Sequence, residues 1–485
     1  MISSTTLARL RSIVGKENFL DSLEDKIAYS YDGTQLLQHQ PDAMVIPRSA
    51  EDVSAVLKLA NEDHFAVIAR GSGSGLSGGS VPVDDSVVLL MNKWNRILEI
   101  DEKNLTVWVE PGVITAALHS TVEAMGYLYP PDPGSSAICT LGGNVAENSG
   151  GLRGLKYGVT KNYVMGMEVI LPSGELILIG GKSVKDVAGY NLKDFLVGSE
   201  GTLGIFTKIL LRMIPKPETS RTMLAYFDRM NDAAETVSDI IASKITPSIV
   251  EFLDNTTIKC VEDYAHLGLP TTLEAVLLIE VDGRPSVVEE DAQKIISLCK
   301  KHGAPDVRVA TTTDEANKLR MARRAAFSAL ARVKPTTILE DATVPRSEVA
   351  PMLDKINEIS GKYNLSFGNF GHAGDGNLHP TCLTDERNKD EIHRAEKAFE
   401  EIFDAAVKMG GTITGEHGIG LQKKQFLSKV FNSAAIDMMR QMKLTLDPNG
   451  VLNPGKIFDL KPRCEGPLPK NQEQLKKFLE MGAYT

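Results

Sequence analysis

The sequence predicts an α+β protein built from more than one domain. A chain of 485 residues is too long for a single hydrophobic core. Segments with the period of strands and segments with the period of helices alternate on both sides of Pro215-Lys-Pro217, which places a boundary at that double proline. Glycine-rich stretches cluster before the boundary, and two histidine-containing motifs lie after it.

Residues 50–64 carry Val53, Val56, Leu57, Leu59 and Ala60 at helical spacing behind an acidic first turn. Residues 66–69 read as a strand entering a glycine-rich loop, and 87–91, 96–101 and 106–109 as further strands with turns between them. Glu110-Pro-Gly-Val113 opens a helix through Ala124. Residues 164–171 and 175–179 flank Pro172-Ser-Gly174, a hairpin turn, and 202–214 is strand-like up to the double proline. Beyond it come a strand at 222–227, a helix at 231–243, strands at 248–253 and 274–281, and helices at 287–302 and 313–331. Strands and one helix, 346–363, lead on to His379. A helix at 393–409 precedes Glu416, and a helix at 432–444 precedes the turn Asp447-Pro-Asn-Gly450. The tail is polar, with a helix-like stretch after Asn471. The units expected are therefore 1–217, 218–415, a C-terminal segment 416–460 and the tail 461–485.

Composition excludes several roles. Net charge is −10 with no long basic run, which argues against nucleic acid or an anionic membrane surface as partner. No apolar run is long enough to span a bilayer, and residues 1–11 lack the hydrophobic core of a signal peptide. The expectation is a cytoplasmic protein, at most peripheral to a membrane. Cys139, Cys260, Cys299, Cys382 and Cys464 are scattered without a C-x-x-C pair, against a disulfide framework or an iron–sulfur cluster in this chain.

Gly73-Ser-Gly75-Leu-Ser-Gly78 matches G-x-G-x-x-G after a strand. A dinucleotide fingerprint of the Rossmann type must open a helix, and Gly79, Pro82 and the strand at Val87 leave no room for one. The loop reads as a nest of backbone N–H groups able to surround a pyrophosphate, with a flexible glycine–serine turn as the alternative. Pro130-Pro-Asp-Pro-Gly134, the run from Thr140-Leu-Gly-Gly-Asn144 to Asn148-Ser-Gly-Gly151, and Gly198-Ser-Glu-Gly-Thr-Leu-Gly204 add more backbone that can approach a large flat ligand. An extended ligand with phosphates and a ring is expected.

Gly371-His-Ala-Gly-Asp-Gly-Asn-Leu-His379 and Gly415-Glu-His-Gly418 supply the chemistry. On one straight strand His372 and His379 would face opposite ways, but the glycines between them permit a turn. With Glu416 they form a two-imidazole, one-carboxylate set that leaves coordination positions open, suited to zinc and also to Mn or Fe(II). Hydrogen-bonded histidines at a domain junction are the structural alternative. His417 is then a candidate base. The remaining histidines have no comparable context.

Val67-Ile-Ala-Arg70-Gly-Ser-Gly-Ser-Gly75, with Pro131-Asp-Pro133, Gly142-Gly-Asn144 and the 198–204 stretch, resembles the FAD-binding domain of vanillyl-alcohol-oxidase-type flavoproteins. The two histidine motifs and Asn453-Pro-Gly-Lys456 resemble the FAD-linked D-2-hydroxyacid dehydrogenases, a group with glycolate oxidase FAD subunits, D-lactate dehydrogenases and D-2-hydroxyglutarate dehydrogenase. The likeness covers roughly residues 20–460. It implies an N-terminal FAD-binding domain, an α+β, ferredoxin-like substrate (cap) domain, and a C-terminal helical segment packing back on the FAD domain. It implies non-covalent FAD, because the loop lacks the histidine that tethers FAD in some relatives. FAD contacts are expected from Arg70, Gly71, Ser72, Gly73, Ser74, Gly75 and Leu76, from Pro131 and Asp132, from Gly142, Gly143, Asn144, Asn148, Gly150 and Gly151, and from Glu200, Gly201, Gly204, Ile205 and Asn453.

The activity implied is oxidation of a small D-2-hydroxy acid, glycolate or D-lactate, to its 2-oxo acid, with hydride passing to flavin N5. A divalent metal on His372, His379 and Glu416 acidifies the hydroxyl, His417 takes its proton, and an arginine holds the carboxylate. By position that arginine is Arg323 in Leu319-Arg-Met-Ala-Arg-Arg324, with Arg320 and Arg324 as neighbours. Asn377 is expected to touch substrate or flavin. Rival readings are a metal-independent sugar or alcohol oxidase of the same fold, a D-2-hydroxyglutarate dehydrogenase, a zinc hydrolase, and a subunit that only binds FAD. Electrons are expected to leave through an iron–sulfur subunit, an electron-transfer flavoprotein or a quinone. The chain is expected to work as a homo-oligomer or complex subunit.

Overall fold

The computed structural model describes residues 1–459, so the tail expected at 461–485, with Cys464, lies outside them. The first part holds two sheets. In one, Ala43–Val45, Ser86–Leu90 and Ala66–Arg70 run parallel in that order, with Phe19–Leu20 antiparallel at the edge. Helix Ala50–Asp63 links two of these strands, is capped by the Ser49 side chain, and buries Val53, Val56, Leu57, Leu59 and Ala60, as its periodicity predicts. Residues 71–85 form no helix, in keeping with the rejection of a Rossmann unit. In the other sheet, Ile97–Asp101, Thr106–Val109, Ile205–Arg212, Val164–Ile170 and Leu176–Gly180 lie in that order, antiparallel throughout.

The second part is built on an eight-stranded antiparallel sheet. Its main path runs Val307–Val309, Thr219–Phe227, Ala275–Gly283, Ile249–Asp254, Ser366–His372, Asn377–Thr384 and Thr336–Leu339, with Ala342–Thr343 pairing beside it. Met230–Ala242, Pro285–Lys301, Val349–Tyr363 and Lys389–Lys408 cover one face, while Asn255–Ala265, Thr313–Arg324 and Ala326–Leu330 cover the other. The mixed helix–sheet architecture predicted from sequence is thus present.

Several details differ from the sequence reading. The expected helix 313–331 is two helices, meeting at Ala325. The expected strand 202–214 starts only at Ile205, because Glu200 and Gly201 both take positive φ in a tight turn. Helices Ser4–Val14, Leu23–Ala28, Leu141–Glu147 and Asn255–Ala265 were not anticipated. Asn255–Ala265 begins with β-branched residues of weak helix propensity, but the Asp254 cap and the burial of Ile258 and Val261 override them. Leu141–Glu147 contains Gly142 and Gly143. Gly142 is required by contact, since a Cβ there would sit 2.6 Å from Pro111.

Helix Ser433–Leu446 and the residues after it return to the first part of the chain. Leu452 bridges to Val67, the buried Lys443 ammonium donates to the Thr202 and Leu452 carbonyls, and the Lys456 ammonium donates to the Val81 carbonyl.

Candidate active site

The turn inside the histidine motif resolves the spacing problem. Ser366–His372 and Asn377–Thr384 form a hairpin that pairs Phe370 with His379 and His372 with Asn377. His372 lies two positions from Phe370, so both imidazoles emerge on one face of the sheet. Gly376, at φ 83°, sits so close to the Val344 carbonyl (2.0 Å from an added Cβ) that only glycine fits the turn.

Glu416 meets the two imidazoles from a separate loop. Its Oε1 is 3.3 Å from His372 Nε2 and 3.3 Å from His379 Nε2, and one ligand atom from each of the three residues lies within 4.8 Å of the others. Those separations are what adjacent ligands take when each sits about 2.0–2.2 Å from a shared ion. The donor set, two ring nitrogens and one carboxylate oxygen, suits a divalent metal with an open position, and His379 Nδ1 is buried without a hydrogen-bond partner. Burial pushes His379 down to about 4, which keeps it the neutral ligand a metal needs. Burial opposes ionisation of Glu416, yet the His372 charge and the hydrogen bonds from both imidazoles hold its carboxyl well below the ordinary range.

The loop carrying Glu416 is organised by Asp341. That fully buried carboxylate accepts the backbone N–H groups of Gly415 (2.6 Å) and Glu416 (2.8 Å) and the Thr414 hydroxyl (2.9 Å), and pairs with the buried Lys423 ammonium. Burial alone would raise its pKa, but Lys423 and His417 outweigh it and keep Asp341 ionised. His417 Nδ1 lies 3.5 Å from Asp341 Oδ1, and its ring stacks on His379 with centroids 5.3 Å apart.

Arg323 reaches the same place from helix Thr313–Arg324. Its Nε is 2.5 Å from Glu251 Oε2 and its guanidinium lies 4.6 Å from the Phe370 ring centre. Arg324 borders the same cavity but is 61% exposed, with its guanidinium 4.0 Å from Asp132. Arg320 is spent on Glu280.

His372, His379, Glu416, His417, Arg323 and Phe370 line a cavity of about 700 Å³. Arg70, Gly71, Ser72, Gly73, Ser74, Gly75 and Leu76 line the same cavity, as do Asp132, Gly142, Gly143, Asn144, Glu200, Gly201, Gly204 and Ile205. The wall fits a large cofactor. A Cβ on Gly134 would meet no atom within 4 Å, and one on Gly75 nothing nearer than Glu147 at 3.8 Å, so both backbones face open cavity. Arg70 acts chiefly as a brace. It is buried, donates to the Tyr31 carbonyl, and lies so close to Gly73, at φ 72°, that an added Cβ would sit 2.1 Å from its guanidinium.

Pro131, Asn148, Gly150, Gly151, Asn453 and Asn377 were expected at the ligand but do not line the cavity. The Pro131 carbonyl is 2.8 Å from His119 Nε2. Asn148 ends helix Leu141–Glu147 at φ 53° and accepts from the Lys161 N–H. Gly150 makes room for Glu416, and Gly151 packs on the Asp132 carbonyl. The Asn453 amide donates to the Gly79 and Glu200 carbonyls, tying the C-terminal segment to the glycine loops. The Asn377 side chain accepts from the Thr343 hydroxyl beside Gly415.

The sequence reading passed over Asp341, Glu251, Lys423 and Glu147. For Glu251 a signal was available, since Ile249-Val-Glu-Phe-Leu253 has a charge inside a strand that is otherwise core, whereas Lys423 lies in the polar run Gln422-Lys-Lys-Gln425, which carries none. Glu147 and Glu200 are buried near each other on the cavity wall. Burial, then Glu200 and Asp32, raise Glu147 well above the ordinary carboxylate range. Burial raises Glu200 to about 7 despite N–H groups donated by Ile419 and Gly420.

Comparison with known proteins fits this geometry. Residues 41–180 match the family described as FAD binding domain, and residues 216–457 match FAD linked oxidases, C-terminal domain. The chain is 54% identical to the glycolate oxidase subunit GlcD of Bacillus subtilis, over 94% of this chain and 97% of that one. It is 34% identical to a D-lactate dehydrogenase of Anaerostipes hadrus, over 93% and 95%. Among solved structures, p-cresol methylhydroxylase with substrate bound superposes with a TM-score of 0.79 at 18% identity, covering 95% of this chain and 98% of that one, a likeness of fold.

Proposed function

The chain belongs to the FAD-linked oxidases, and from that premise we propose that it oxidises a small D-2-hydroxy acid, glycolate or D-lactate, to the 2-oxo acid. The observation that carries the reading is that His372, His379, Glu416, His417 and Arg323 line one cavity together with the glycine loop. The loops 70–76, 142–144 and 200–205 would hold FAD without a covalent tether, and His372, His379 and Glu416 would hold a divalent metal, most suitably zinc. When bound, FAD supplies a hydride acceptor and the metal a Lewis acid for the hydroxyl.

The chain's own residues do the rest. Arg323 has one nitrogen committed to Glu251 and two left to receive a carboxylate side by side. His417 turns Nδ1 toward the Asp341 carboxylate at 3.5 Å, and its Nε2 takes the hydroxyl proton. Leu339, Phe370 and Leu152 keep the end of the cavity apolar and exclude water beside the substrate. Among the described residues no helix is long and apolar enough to cross a membrane. The chain is a subunit of a larger assembly or a homo-oligomer, handing electrons to an iron–sulfur subunit, an electron-transfer flavoprotein or a quinone.

The test is a panel of D- and L-2-hydroxy acids, sugars and simple alcohols, scored anaerobically by bleaching of the oxidised flavin band. Bleaching by D-lactate or glycolate, abolished by a chelator and restored by zinc, supports the reading. Bleaching only by sugars or alcohols, indifferent to chelator, refutes it.

A further inference from the structure

Glu251 touches both halves of the proposed site. It lies in strand Ile249–Asp254 directly across the ladder from His372 and is wholly buried. Oε1 is 2.6 Å from His372 Nδ1, and Oε2 is 2.5 Å from Arg323 Nε. Its neighbours on the same face, Ile249 and Leu253, belong to the apolar core. A carboxylate in such a place is strongly unfavourable unless paired, and these two contacts are its pairing. His372 is left with Nε2 facing Glu416, and Arg323, a residue of the cavity wall, has only its Nε in the contact with Glu251. The Phe370 ring under the guanidinium closes off a second orientation of Arg323.

Resting on the metal and carboxylate assignments above, we propose that Glu251 is a positioning and specificity-determining residue: its one carboxylate fixes the metal ligand His372 and the anchor Arg323 at a set separation, so that the site measures the distance between a substrate's hydroxyl and its carboxylate and selects 2-hydroxy over 3-hydroxy acids. The bridge spans only two oxygens of a single rigid group on a central strand. Neither partner can move relative to the other without breaking a short, charge-assisted hydrogen bond. A 3-hydroxy acid places its hydroxyl one carbon further from the carboxylate and satisfies one end or the other.

The experiment uses the FAD-replete Glu251→Gln protein. A glutamine can accept from one partner but must turn its NH₂ toward the other donor. Zinc affinity is read by competition with a chromophoric chelator, and kcat and KM are measured for D-lactate and for D-3-hydroxybutyrate. The expected result is weaker zinc binding by about 10–100-fold, a higher KM for D-lactate with a smaller change in kcat, and a narrower preference for D-lactate over the 3-hydroxy acid. A merely structural role would lower thermal stability and leave that preference where it was, which would overturn the proposal. So would a change in zinc affinity without a change in KM, or the reverse. If Glu251→Gln fails to retain FAD, Arg323→Met decides. Arg323 touches no metal ligand, yet its loss frees Glu251 to turn away from His372, so zinc should bind about threefold or more weakly with no substrate present. Unchanged zinc affinity in that variant overturns the proposal. Wild-type protein that binds no zinc overturns the metal assignment and this proposal with it, whereas equal affinity in wild type and variants overturns this proposal alone.

Discussion

Replacing Arg323 with alanine is the sharpest test of how substrate is held. The guanidinium is only 11% exposed, so its pairing with a carboxylate is largely desolvated, and its two free nitrogens permit a two-point contact. Truncating one partner of such a pair costs about 2–4 kcal/mol. At ~1.4 kcal/mol per tenfold, that is a rise in KM of about 30- to 700-fold. Arg324 is 61% exposed, and a surface ion pair is worth about 0–1 kcal/mol, so Arg324→Ala should change KM by less than about fivefold. The assay is anaerobic flavin bleaching against concentration, run with glycolate and with glycolamide, which lacks the carboxylate charge. Arg323→Ala should erase most of the preference for the acid while FAD content stays at one per chain. A large loss in Arg324→Ala with a small one in Arg323→Ala would refute the assignment, and so would an equal loss for acid and amide, because the arginine would then be acting on something other than the carboxylate.

The other predictions concern the metal, the base, the flavin and a buried acid. His372→Ala, His379→Ala and Glu416→Ala should each lower zinc content, measured by elemental analysis, with FAD retained; normal occupancy in any one of them removes that residue from the ligand set. His417→Ala should keep zinc and FAD yet reduce flavin at least about 100-fold more slowly, the usual worth of a positioned base; near-normal reduction contradicts its role. FAD should leave intact when the protein is denatured, and flavin remaining on the precipitated polypeptide would mean a covalent link. Glu200, raised to about 7 by burial, binds more protons folded than unfolded between its ordinary range and about 7, so the stability it contributes is lost as pH rises through that window. Thermal melts of FAD-replete Glu200→Gln should therefore fall less than wild type between pH ~5 and ~8, and parallel curves would count against the assignment.

What sequence could read here was set by the range over which each feature acts. The helix Ala50–Asp63 and the hairpin at Pro172-Ser-Gly174 are fixed by residues a few positions apart, and both are where local pattern puts them. The pairing of His372, His379 and Glu416 was legible as a motif because the chemistry needs those residue types, although nothing local says that a hairpin brings the two imidazoles to one face. Leu141–Glu147 was hidden for the opposite reason. Its glycines lower helix propensity, and the Thr140 cap is joined by a tertiary hydrogen bond from the Gly142 N–H to the Pro111 carbonyl, far off in sequence.

The least legible residues are those that act on other residues. Asp341 meets no substrate in the proposed site. Its work is to gather three groups of one loop and to face the base, and Lys423, its partner, is 1% exposed. Glu251 likewise spends both oxygens on protein. A charge buried without a partner costs several kcal/mol, so such residues survive in a core only where the tertiary structure delivers a counter-charge. The partners of Glu251, the Arg323 charge and the His372 ring N–H, come from a helix and a strand well beyond it in the chain. In this protein the informative sequence signal was therefore a carboxylate at a core position of a strand, Glu251 between Val250 and Phe252, and Asp341 between a strand and the motif it supports. Both are marks of a site whose geometry is held from behind by buried charge, which is why removing either should be felt at the metal and the base before it is felt at the flavin.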